Sequence, residues 1–91
     1  MQIRLEFATL FSSSLGFSDI ELDVREGATL GEVIEQYLEE NPANRAKLEK
    51  WKLFLKGKLR AIYMIDGSAV KPERVLKDKD RVKVLQAFIG G

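Results

Sequence analysis

An α+β fold, a mixed sheet packed on one main helix, is what the sequence predicts, and three observations predict it. Apolar and polar residues alternate near both ends, at 3–10, 20–24 and 81–85. Between them, 29–40 repeats its apolar residues at helical spacing. A nearly continuous apolar run at 61–65 then adds a strand after the helix, so strands flank it on both sides in sequence. Ninety-one residues leave room for one domain.

Each element has its own warrant. Ile3, Leu5, Phe7 and Thr9 alternate with Arg4, Glu6, Ala8 and Leu10, the period of a half-buried strand. Ser12-Ser13-Ser14-Leu15-Gly16 reads as a turn-rich break. Ile20, Leu22 and Val24 form a second strand that pairs with the first as a hairpin. Thr29 to Glu32 has the spacing of a capping box, in which the hydroxyl takes an amide and the glutamate reaches back. Leu30, Val33, Ile34, Tyr37 and Leu38 then mark one helix face, and Asn41-Pro42 ends it. A weakly helical insertion follows from Ala43 to Lys52, with Leu48 and Trp51 as its apolar anchors. Phe54-Leu55 precedes a Lys56-Gly57-Lys58 turn, and Ala61–Ile65 reads as a central strand closed by the Asp66-Gly67 turn. A brief strand at Val70, a connection through Pro72–Leu76 and a turn at Asp78-Lys79-Asp80 lead to the last strand. If the first and last strands lie side by side, the topology is the ubiquitin-like β-grasp. The domain then spans 1–86, with 87–91 as a flexible tail ending in Gly-Gly.

Composition narrows the chemistry. The chain has no cysteine and no histidine, which removes disulfides, thiolate sites, and the commonest general base and metal ligand. That argues against an ordinary enzyme, and against a catalyst acting alone. No apolar run approaches the roughly 18 residues of a membrane span, and Met1–Glu6 lacks the apolar core of a signal peptide. No membrane contact and a cytoplasmic location are the expectation. Residues 1–44 hold nine acids and two bases, a net of −7, whereas 45–91 hold thirteen bases and five acids, a net of +8. The expectation is that strands of the two halves interleave and mix these charges. Seven of the bases lie in 45–60, beside Trp51 and Phe54. Trp51 and Phe54 have the spacing of packing residues, which argues against nucleic acid and favours an acidic protein surface.

The last two residues, Gly90-Gly91, carry the most information. With glycine at about 7% of residues, such a pair ends roughly 0.5% of chains by chance. Without a Cβ, a Gly-Gly segment threads a narrow channel. Its reacting group would be the Gly91 carboxylate, inert until a partner activates it as an acyl-adenylate.

The chain resembles the sulfur-carrier family that includes the small subunit of molybdopterin synthase (MoaD) and the thiamine-pathway carrier (ThiS). The matching stretches are Phe7-Ala8-Thr9-Leu10, Glu26 to Glu32, Asp66-Gly67, Leu76 to Val82 and Gly90-Gly91. The resemblance implies that an ATP-dependent, ubiquitin-activating-type enzyme adenylates Gly91, which then receives sulfur as a thiocarboxylate. ATP and magnesium would be used by that partner, and no cofactor would be bound by this chain. Molybdenum- or tungsten-cofactor synthesis is the favoured pathway, with the chain as small subunit of molybdopterin synthase and the large subunit as partner. The resemblance also assigns Phe7, Leu85, Phe88 and Ile89 to partner binding, although the alternation of the first strand equally suits Phe7 to the core. Two other readings stay open. One is a ubiquitin-like modifier joined through Gly91 to lysines, or a sulfur donor for thiamine or tRNA; the other is an interaction module with an inert tail.

Overall fold

In the computed structural model, which describes residues 1–8 and 10–87, five strands form one mixed sheet. In chain order the elements are β1 (Gln2–Phe7), α1 (Leu10–Leu15), β2 (Asp19–Asp23), α2 (Leu30–Glu40) and α3 (Pro42–Lys50). They continue with β3 (Phe54–Leu55), β4 (Lys58–Leu59), β5 (Ala61–Ile65), β6 (Ser68–Val70) and β7 (Arg81–Gln86). The sheet order is β2-β1-β7-β5-β6, and β3-β4 is a separate hairpin. β1 and β7 are parallel neighbours, Leu5 facing Val82 and Phe7 facing Val84, and the other pairings in the sheet are antiparallel. This is the expected β-grasp.

The alternation read from the sequence sorts the two faces. Ile3, Leu5, Phe7, Tyr63, Ile65, Val82 and Val84 are buried on one face, where they meet Leu30, Val33, Ile34, Tyr37 and Leu38 of α2. Thr29 caps α2 by accepting the Glu32 amide at 3.2 Å. The box is only half formed, however, because the Glu32 carboxylate is taken by Arg25. The 72–76 connection straps the start of α2: the Leu30 amide donates to Arg74 and the Gly31 amide to Pro72, both at 2.9 Å. A Cβ at Gly31 would stand 3.2 Å from Pro72, so the close approach needs glycine there.

The Asp78-Lys79-Asp80 turn fixes the central parallel pair. Asp78 accepts the Gln2 amide at 2.8 Å, Asp80 accepts the Lys77 amide at 2.8 Å, and the Lys79 amide donates to Gln2 at 2.6 Å. Both Asp66-Gly67 and Lys56-Gly57 have positive φ at each residue, as two-residue hairpin turns of the primed kind require.

Three expectations fail. The serine-rich 12–16 stretch is mostly helix α1, because Phe11 and Leu15, four residues apart, are both buried and seat the helix on α3. It is Leu48 and Leu53, not Trp51, that anchor the insertion: they are 1% and 2% exposed, whereas Trp51 caps α3 and is 45% exposed. Nor do the charged halves of the sequence interleave in the sheet. β2 and β1 lie together on one side, β5 and β6 on the other, and within the sheet the halves meet along the β1–β7 seam.

Candidate functional site

β7 ends where the expected tail begins. The Ala87 amide donates to the Arg60 carbonyl at 3.2 Å, which holds the tail root against the start of β5. Phe88, Ile89, Gly90 and Gly91 lie outside the described residues, as does Thr9. Ala87 is thus the last described residue before the terminal glycines, and the sheet surface beside it is the candidate contact site.

That surface is the face of the sheet opposite the helices. Its β1–β2 side is charged: Arg4 holds Asp19 at 2.5 Å and Glu21 at 2.6 Å, and these two carboxylates raise the guanidinium pKa. Arg81 approaches Glu6 at 3.6 Å on the same face. Toward β5 the character changes. Ile62 is 45% exposed and pairs directly with the half-buried Leu85, while Met64 pairs with Lys83. Cross-strand partners share a face, so Ile62, Leu85 and Met64 make an apolar strip with Lys83 beside it, one step back from Ala87.

The expected contact residues divide accordingly. Leu85 is on the strip. Phe7 is on the opposite face, 6% exposed, with its ring centroid 6.4 Å from that of Phe11 and 5.9 Å from that of Phe17. A partner would feel Phe7 only through the packing. Sequence reasoning missed Ile62 and Met64, since an unbroken apolar run reads as a strand buried on both faces. The signal lay in pairing: beside β7, whose outer face is Arg81, Lys83 and Leu85, an apolar outer face on β5 cannot all be covered.

A groove of about 670 Å³ opens between α2 and the β3–β4 hairpin, with Ile34, Leu38, Phe54 and Tyr63 inside and Arg45 and Lys58 in its wall. Arg45 stacks 5.0 Å over the Phe54 ring and approaches Glu49 at 3.3 Å. Among the described residues no group of acidic side chains could hold a metal ion, and no helix is long and apolar enough to cross a membrane.

Comparison with known structures agrees with the fold. SAMP1 from Haloferax volcanii superposes with a TM-score of 0.78 at 18% identity, over 100% of both chains. The protein–protein complex of subunits 1 and 2 of molybdopterin-converting factor from Helicobacter pylori contains a match at 0.61 and 16% identity, again over 100% of both chains. The BexX/CysO complex of Amycolatopsis orientalis contains one at 0.60 and 21%, over 98% of this chain and 99% of that one. At such low identities the superpositions show a shared β-grasp fold and nothing further. No curated protein sequence matches the chain. The model of the ThiS family, by contrast, matches residues 7–91, from the end of β1 through the terminal glycines. With the helix-entry, turn and last-strand motifs all inside that match and placed as a β-grasp requires, the chain belongs to the ThiS family of ubiquitin-like sulfur carriers.

Proposed function

We propose that the protein carries sulfur as a thiocarboxylate on Gly91 and delivers it in molybdenum- or tungsten-cofactor synthesis, as the small subunit of molybdopterin synthase. The single observation that carries this reading is the family match running through Gly90-Gly91. The apolar strip beside the tail root supports it, since an exposed Ile62 paired with the half-buried Leu85 and flanked by Lys83 has the character of a docking surface.

The chain would supply little chemistry itself. At neutral pH the Gly91 carboxylate is ionised and a poor electrophile. A ubiquitin-activating-type partner would hold ATP and magnesium. One carboxylate oxygen attacks the α-phosphorus, pyrophosphate leaves, and the carbonyl carbon becomes electrophilic as an acyl-adenylate. A sulfide-level nucleophile then forms the C–S bond while AMP departs with the C–O electron pair, leaving the thiocarboxylate. The sheet would position the tail in the partner's channel, where small misplacements of reacting groups are costly. Phe88 and Ile89, as apolar residues next to the reacting glycines in sequence, would contact that partner. The large synthase subunit would accept the loaded tail, and the reaction would take place in the cytoplasm.

The Helicobacter match sits in a complex with a second subunit, which favours a two-subunit acceptor. The likeness to SAMP1, a small archaeal modifier protein, favours conjugation to lysine as the second reading. The test is intact-mass analysis of the native-tail protein after incubation with the cognate activating enzyme, ATP and a sulfur donor. Sulfur carriage makes the chain heavier by the difference between sulfur and oxygen. Conjugation gives larger species that survive thiol reduction. Deleting Gly91, or adding one alanine after it, should abolish adenylation while leaving the fold intact. Adenylation of an untrimmed, extended tail would overturn both readings.

A further inference from the structure

The insertion at 41–60 takes no part in the chemistry above, yet it gathers cations that the fold leaves unneutralised. Arg4, Arg25, Arg45 and Arg81 each hold a carboxylate. Lys47, Lys50, Lys52, Lys56 and Lys58 are exposed, and among the described residues none of them forms an ion pair. Lys47 and Lys50 occupy the last turn of α3, where the helix dipole favours a cation. That reason does not extend to the other three, which lie beyond the helix.

Two features show that the arrangement is more than solvated charge. The chain bends back at the end of α3, the Leu53 amide donating to Leu48 at 2.8 Å, so the hairpin lysines follow directly on the helix lysines. Lys52 and Lys56 have φ of 60° and 54°, a left-handed conformation in which glycine or asparagine is the less strained residue. Lysine keeps a charge at both positions against that preference. Among these cations stand Trp51, 45% exposed, and Leu55, 39% exposed.

We propose that this surface docks an acidic segment of a partner protein, with its carboxylates on the lysines and an apolar side chain against Trp51. A single-stranded nucleic acid fits less well, because base stacking uses successive aromatic platforms. Here Trp51 is the one exposed aromatic among the described residues of the insertion, and Phe54 is buried beneath Arg45. Lys58 of the hairpin and Ile62 of the strip line one groove, so a partner seated on the strip can reach the insertion as well.

Trp51 is the only tryptophan in the chain, so its fluorescence reads the surface directly. The full chain is titrated with a short synthetic peptide of repeated Glu-Glu-Leu, and in parallel with an oligothymidylate of matched charge. The peptide should shift the Trp51 emission, and its affinity should fall at least about tenfold between about 0.05 and 0.2 M salt. Combining Lys50→Gln, Lys52→Gln, Lys56→Gln and Lys58→Gln should weaken it by at least about tenfold, with folding checked by circular dichroism. Lys77→Gln with Lys79→Gln, outside the insertion and its groove, should leave it unchanged. An unmoved Trp51 emission, salt-independent binding, or equal weakening by the two sets of substitutions overturns the proposal. So does oligothymidylate binding as tight as the peptide's, which would assign the surface to nucleic acid.

Discussion

Tyr63 lies on the helix-facing side of β5, and burial pushes its phenol pKa up to about 12. In the unfolded chain a tyrosine ionises near 10. From about pH 10 to 12 the unfolded state has therefore lost a proton that the folded state keeps, and stability falls as pH rises, by about 2–3 kcal/mol at most. Burial raises the Tyr37 phenol too, against the opposing hydrogen bond from Asn44, and adds in the same direction. The informative quantity is the difference between a variant and the natural protein. Denaturant unfolding at pH about 9 and 12 should show a smaller alkaline loss for Tyr63→Phe than for the natural protein. Equal losses would remove the burial argument. At this scale the sequence was readable where a residue had one plausible environment, as with the alternating Ile3 and Leu5. It was less so for Phe7, whose period suited the core while its motif suited a partner. Trp51 misled because spacing identifies a face but not whether the fold has anything to cover it.

Among the elements, α1 was the least visible in the sequence. Three consecutive serines are weak helix formers that favour turns, and six residues are too few to be helical alone. Tertiary contact makes the helix: Phe11 and Leu15 enter the core, and the Ser14 hydroxyl donates to the Lys47 carbonyl at 3.1 Å. Phe11 is fully buried, so Phe11→Ala should cost about 3–5 kcal/mol, seen as a lower denaturation midpoint with little change in slope. A loss under about 1 kcal/mol would make α1 peripheral. The start of α2 was better written, since the Thr29 cap is local chemistry. Thr29→Ala should cost about 1 kcal/mol in the same assay, and no loss would assign the helix start to the 72–76 strap alone. The hairpins at Asp66-Gly67 and Lys56-Gly57 were legible for a similar reason: the turn conformation is set within two residues. The edge of the contact site was not, because Ile62 and Leu85 become neighbours only through pairing across 23 residues of sequence.

For the molecule as a whole, charge and contact are set by strand order. Because β2 and β6 are the two edges of the sheet, the acidic β2 edge stays apart from the β5–β6 side. If Phe88 docks a partner, Phe88→Ala should weaken binding to the activating enzyme by about thirtyfold, or about 2 kcal/mol, without altering stability. Calorimetry checks this, and unchanged affinity would move the interface off Phe88. The parallel β1–β7 pair has a mechanical consequence as well. β1 begins at the Asp78–Asp80 turn and β7 ends beside Arg60, so the free ends of the two strands point in opposite directions along the seam. Tension between Met1 and Ala87 would load the seam's hydrogen bonds simultaneously, in shear, whereas tension across the β5–β6 hairpin would part its bonds one after another. Single-molecule pulling should find a higher rupture force along the first axis than along the second. A partner that draws the tail into its channel would thus be pulling on the strongest direction of the sheet.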